Sequence, residues 1–504
     1  MDTQSLKHLL QDLRGAALSA KNPDHALGLA SVYGYLLRIN QIGVLSDDEF
    51  ECRLASRLEA LTPRLEAAPE IPRRGFLHVV TEAYDYGGHT PLLVNCLKAR
   101  GENTDACVVV VQSATLRFEN TVRDAAAGLE LLGGSLSDKL SRLVEIGRRF
   151  ETVLLHISPE DIVSSLAARA LRAEGIRVLL VNHADHVFAF GRMAASMILE
   201  VSGFGWNLTR GDNPGAVQSF LGIPLDTTSA IKSMKNSADR TGYILSVGSA
   251  AKYAPYLSYD FPRFLNQLVL SVPNRIVLIG PNGSEAWWAG LSEHAASQVE
   301  FWGMQSADVV HEAMSRASCY VDSFPISGGT VFGQALLSGL PAHGLYLPIG
   351  GYTYADALRS QTITDLVTAI TETICGTGSE KAHADVRRIV EEKQGFESFS
   401  GRLLHAANGE QEALPAVLDH PEFDRRFFQN QFLESGKFGF AVPSWADISA
   451  AQRVRLLLSI IVRWRNMKLH QGRGALLKWL LLGDNRRPPR PQSLQQGRAA
   501  GKHD

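Results

Sequence analysis

The chain has 504 residues, 45% of them hydrophobic and 20% charged, with a formal net charge of −2. That composition belongs to a soluble globular protein of two or three domains, and the balanced charge gives no sign of a nucleic-acid partner. Five cysteines (Cys52, Cys96, Cys107, Cys319 and Cys375) show no CxxC spacing and sit mostly in apolar runs, which reads as buried free thiols in a reducing compartment.

The opening MDTQSLKHLLQDLRG is polar and lacks an apolar h-region, so no secretory signal is expected. No apolar run approaches the ~20 residues of a membrane span. The expectation is a cytoplasmic protein, or one peripheral on the inner face of a membrane. Residues 1–70 read as a helical region, because SLKHLLQDLRGAAL and DDEFECRLASRLEALTPRLEAA carry apolar residues at helical spacing. PEIPRRG marks the boundary.

From Gly75 the pattern alternates. GFLHVVTEA, ACVVVVQ, TVLLHIS and RVLLVNH read as strands, with helices HTPLLVNCLKAR, LSDKLSRLVEIGRRF and EDIVSSLAARALRAEG between them. Continuous Val/Leu/Ile runs bounded by helices imply strands buried on both faces, hence a parallel, doubly wound sheet over 75–235. The polar 226–242 stretch reads as a linker. A second α/β unit, 240–378, repeats the pattern with strands YILSVGS, RIVLIGP, VEFWG and CYVDSF. Helices are expected again over 379–484, and a disordered basic tail over 485–504. The fold class is α/β: two tandem Rossmann-like domains flanked by helical regions. In such sheets ligands bind at the carboxyl ends of strands, and two facing sheets make a cleft.

The candidate chemistry falls on those rims. Ser327-Gly328-Gly329-Thr330 follows the strand CYVDSF and opens the helix TVFGQALLSG. Glycines there let backbone N–H groups approach an anion, and the helix N-terminus favours negative charge. Thr330 either adds a hydroxyl donor or caps the helix, and the whole turn is alternatively a plain strand–helix corner. Gly248 and Lys252, in SVGSAAKYAP, follow the second unit's first strand and fall on the same rim. A cation converging with a helix N-terminus suits a diphosphate, whereas a loop lysine is usually solvated. GxGxxG and GxxxxGK[ST] are both missing where a Rossmann or P-loop site would need them. There is no DxD-type acidic cluster to hold a metal–diphosphate complex, so no metal is expected.

The first unit offers EAYDYGGHT, where Asp85, Gly87 and Gly88 form a turn and His89 starts a helix. The positive helix end disfavours an imidazolium, which suits a neutral base; a capping histidine is the alternative. LLVNHADHVFAFGR then sets Asn182, His183, Asp185 and His186 directly after a buried strand. Polar groups there are costly unless bonded or used. An acid/base or acceptor-orienting role, zinc binding by His183 and His186, and structural capping all stay open. In the C-terminal region, Val454, Leu457, Leu458, Ile461 and Trp464 make an apolar stripe beside Arg453, Arg455, Arg463, Arg465 and Lys468. That helix either packs on the core or touches anionic lipid, with 453–482 as the membrane-facing segment.

Together these segments resemble a glycosyltransferase of the GT-B type, the second unit resembling the donor half of the O-GlcNAc transferase and HMW1C-like N-glycosyltransferase group. SVGSAAKYAP resembles the loop whose lysine touches the donor diphosphate, which maps to Lys252. DSFPISGGTVFGQALLSGLP resembles the phosphate-binding turn and maps to Gly329 and Thr330, and DYGGHTPLL resembles the loop with an active-site histidine, here His89. The family usually has an acidic ribose contact early in the next helix; here Gln334 occupies that stretch and Asp322 ends the strand before it, and these two are the candidates for the ribose or sugar contact. The resemblance implies transfer of a sugar from a nucleotide-diphosphate sugar, UDP-linked, to a glycan, lipid-linked or protein acceptor. The nucleotide sugar is a co-substrate, and no cofactor is expected. A sugar-nucleotide epimerase on the same fold and a non-catalytic nucleotide-binding scaffold are the alternatives.

Overall fold

The computed structural model describes residues 3–40, 42–59, 72–83, 89–100, 106–227, 242–347, 349–378 and 380–419. The 226–242 linker falls mostly outside them, and the 453–482 segment and the 485–504 tail wholly so. Among the described residues no helix is long and apolar enough to cross a membrane.

Two parallel sheets organise the chain. The first joins β1 (Phe76–Ala83), β2 (Ala106–Ala114), β3 (Gly128–Leu131), β4 (Thr152–His156), β5 (Arg177–Asn182), β6 (Met197–Glu200) and β7 (Gln218–Phe220) in the order β3-β2-β1-β4-β5-β6-β7. The second joins β8 (Ile244–Val247), β9 (Ile276–Ile279), β10 (Val299–Gly303), β11 (Cys319–Val321), β12 (Ala342–Leu345) and β13 (Arg359–Ser360) as β10-β9-β8-β11-β12-β13. Every pairing is parallel. The chain order reverses between β1 and β4 in one sheet and between β8 and β11 in the other. Such reversals open the crevice in which doubly wound sheets bind ligands.

The strands are apolar throughout because both faces are covered. Leu77, Val79, Val153 and Val178 point into a core shared with Leu13, Leu36, Phe50 and Leu54 of the N-terminal helices. Their alternating neighbours, Val80, Leu154 and Leu179, pack instead against Leu93, Leu97 and, from far along the chain, Phe399 and Leu403. The N-terminal helices are thus built into the first lobe, and the helix Phe396–Asn408 returns to it from beyond the second. The strands β3, β6, β7, β12 and β13 have no counterpart among those expected from sequence. All are short, and Glu200 and His343, both buried, interrupt the apolar runs of β6 and β12.

Candidate functional site

The site is built where β8 and β11 part. Gly248 follows β8 because a Cβ there would press on Lys252 Cδ, Ser323 Oγ and Tyr253 Oη, each at 3.3 Å. A short 3-10 turn, Ala250–Tyr253, then carries Lys252. Tyr253 anchors it: fully buried, it shares a 3.0 Å hydrogen bond with Ser246 Oγ and lies edge-on to Phe261. So fixed, Lys252 Nζ donates to the Ser327 carbonyl at 2.8 Å, which places the ammonium on the Gly-rich corner. Burial, and secondarily Arg359, lower the Lys252 pKa, while Asp322 opposes them.

The corner is held from behind. Gly328 N–H donates to Asp322 Oδ1 at 2.9 Å, and Arg359 Nη2 to Asp322 Oδ2 at 2.8 Å. Arg359 Nε also donates to Asp356 Oδ1 at 2.6 Å, and Gly351 N–H donates to Asp356 Oδ2 at 2.8 Å. Burial alone would lower the Arg359 pKa, but Asp356 and Asp322 hold it above its ordinary value. Both glycines answer to close approach: a Cβ on Gly328 would sit 2.8 Å from Asp322 Oδ1, and one on Gly329 would collide with Tyr352 Cβ.

On its other side the corner keeps donors without partners among the described residues. Gly328 is the N-cap of the helix Gly329–Leu337 and brings no side chain to cap it. Thr330 is therefore not the cap, and the Gly329 and Thr330 N–H groups have no partner among the described residues. Ser327 Oγ is buried, likewise without a partner. An unpaired hydroxyl and two helix-end amides beside an ammonium are donors of the kind that suit an anion. Half-buried Gln334 follows Thr330 by one turn, on the same face of the helix. Asp322, expected to contact ribose or sugar, is instead fully buried and committed to Gly328 and Arg359, so in this structure it supports the corner from behind.

The first-lobe cluster is mostly bonded within the protein. Asn182 donates to Glu200 Oε2 at 2.8 Å, and His183 Nδ1 lies 3.3 Å from the Val181 carbonyl. Asp185, 2% exposed, accepts from Ser202 Oγ at 2.6 Å, His186 Nδ1 at 3.1 Å and Tyr352 Oη at 3.3 Å. A carboxylate only accepts, so the proton of the His186 contact is on Nδ1. Among the described residues no group of three or more His, Cys, Asp or Glu is placed to hold a metal ion. Asp85, Gly87, Gly88 and the His89 side chain lie outside the described residues, although His89 opens the helix His89–Arg100.

The two clusters meet at the junction of the lobes. Gly203 and Phe204 N–H groups donate to the Gly351 and Gly350 carbonyls at 2.8 and 3.1 Å, and Tyr352 reaches across to Asp185. Sequence reasoning missed Tyr352, Arg359 and Ser202. For Tyr352 the available signal was PIGGYTYAD, a second Gly-Gly stretch resembling the corner itself.

Solved structures place this architecture. An O-GlcNAc transferase mutant from Thermobaculum terrenum superposes with a TM-score of 0.50 at 12% identity, over 85% of this chain and 79% of that one. The fold is GT-B. HepE from Anabaena, solved with UDP and glucose, aligns over 67% of this chain and all of its own at 13% identity and a TM-score of 0.49. A putative UDP-N-acetylglucosamine 2-epimerase from Listeria monocytogenes aligns over 68% of this chain and all of its own at 12% and 0.42. No family model and no curated protein matches the chain. The GT-B arrangement expected from the resemblance is the one observed, and its second-lobe crevice is the one holding Lys252 and the corner.

Proposed function

We propose that the protein is a glycosyltransferase, moving a sugar from a nucleotide-diphosphate sugar to an acceptor at the lobe junction. The observation that carries this reading is Lys252 Nζ bonded to Ser327 O at 2.8 Å, beside an unpaired buried Ser327 hydroxyl and the open amides of Gly329 and Thr330. In the reaction the anomeric C–O bond to the diphosphate breaks as an acceptor heteroatom attacks. Positive charge builds on the sugar and negative charge on the leaving group. Lys252 and the corner amides stabilise the latter by preorganised electrostatics, with no metal in this reading. His186, oriented by Asp185, accepts the proton of the acceptor. UDP is the nucleotide that the resemblance implies, and the fold shared with an O-GlcNAc transferase supports that choice. The acceptor, and any lipid contact through residues 453–482, belong to the same proposal.

Calorimetry with UDP tests it. Lys252→Ala removes one charge-assisted contact, about 2 kcal/mol or ~30-fold in Kd. Unchanged UDP affinity removes the diphosphate assignment, and no binding to the native chain removes the donor site altogether. Incubation with a UDP-sugar and no acceptor separates the chemistries, since an altered sugar still joined to UDP marks an epimerase.

A further inference from the structure

The corner and the Asp185–His186 pair lie on different lobes, and one side chain touches both. Tyr352 Cβ lies against the Cα of Gly329, where any larger residue would collide with it. Its hydroxyl lies 3.3 Å from Asp185 Oδ1, the oxygen that His186 Nδ1 also contacts. Tyr352 is braced to the corner by a closed circuit: Gly328 N–H on Asp322, Asp322 on Arg359, Arg359 on Asp356, and Asp356 on the N–H of Gly351. Every side chain in that circuit is buried and paired, so the corner and the backbone before Tyr352 are tied into one hydrogen-bonded unit. Burial first, and the nearby Asp185 second, raise the Tyr352 pKa well above its ordinary value. The phenol keeps its proton, and it is the donor in the contact with Asp185.

We infer that Tyr352 is a positioning residue that ties the anion corner of the second lobe to the Asp185–His186 pair of the first, so that a nucleotide diphosphate on the corner is sensed at the His186 imidazole. This rests on the donor-site reading above and adds a route from donor occupancy to the acceptor-side base. An anion drawing in the Gly329 and Thr330 amides shifts the backbone on which Tyr352 lies. The phenol transmits that shift to Asp185, and Asp185 to the ring it orients.

The test uses the full-length chain labelled with 15N-histidine, with the His186 resonances assigned through His186→Gln and UDP as the probe. In the native chain UDP moves the His186 Nδ1 signal. Tyr352→Phe keeps the ring on Gly329 and removes only the hydroxyl. UDP affinity then stays within about 3-fold, while the UDP-induced change at His186 falls to less than a third. A His186 response of equal size in native and Tyr352→Phe chains, both binding UDP, overturns the inference and leaves the donor site standing. Failure of the native chain to bind UDP overturns both.

Discussion

The Gly-rich corner and the Asn182–His186 cluster look alike in sequence, each a run of polar residues following a buried strand, yet the fold uses them differently. At the corner the supporting contacts come from behind, through Asp322 and Arg359, and the front keeps two amides and the Ser327 hydroxyl without partners. In the first lobe Asn182 is committed to Glu200, and Asp185 to Ser202, His186 and Tyr352. A buried polar group left unpaired costs stability, whereas a paired one rigidifies its surroundings. The corner thus keeps donors unspent, which is what the proposed donor site needs, whereas the cluster spends most of its polar groups on internal bonds that orient His186.

The largest effect expected is for Arg359→Met. It strands Asp322 and Asp356, both buried, and should destabilise the protein by about 3–5 kcal/mol in urea unfolding. A loss under 1 kcal/mol would mean the corner is held by something other than this ion-pair network.

The first lobe supplies a pH-dependent counterpart. Glu51 is fully buried beneath the His183–Arg192 loop and accepts from Ser165 Oγ and the Gly191 N–H. Burial pushes its carboxyl up from 4.5 to about 7, against the pull of those two donors. The unfolded chain loses this proton first, so the contribution is fully present below about pH 4.5 and is lost as pH rises through about 7. That loss amounts to about 3 kcal/mol. Glu51→Gln should remove the slope, matching the native protein at pH 4.5 and exceeding its stability at pH 8. Parallel thermal-midpoint curves for the two chains would show that Glu51 ionises elsewhere.

Two smaller substitutions set the clusters directly against each other. Asn182→Ala leaves buried Glu200 short of a donor and should cost about 1–3 kcal/mol of stability without changing UDP affinity. Ser327→Ala should do the reverse, raising stability by up to about 1 kcal/mol and weakening UDP about 5-fold. If both variants lose stability and neither loses UDP binding, the corner and the cluster are equivalent scaffolds.

The strands buried on both faces were legible because a continuous run such as VVVV over 108–111 has few other homes. The turn was legible because Gly328, Gly329 and Thr330 stand between an apolar strand run and a helical one, although the close approach that requires Gly329 comes from Tyr352. The short strands escaped: β13 has two residues, and β12 carries His343 in its interior. The support that Asp322 gives the corner was not legible because its partner Arg359 lies 37 residues on, with nothing in the intervening sequence to announce it.

The sequence by itself determined the alternation of strands and helices and the position of the Gly-rich turn, since hydrophobic period and a break between two apolar runs are local properties of a chain. Only the tertiary structure decided which polar groups stay unpaired and which are spent. Tyr352 and Asp185 are 167 residues apart, and Glu51 and Gly191 are 140 apart. The partner of a buried polar group is fixed by the packing of distant elements, which leaves no period or spacing to read along the chain.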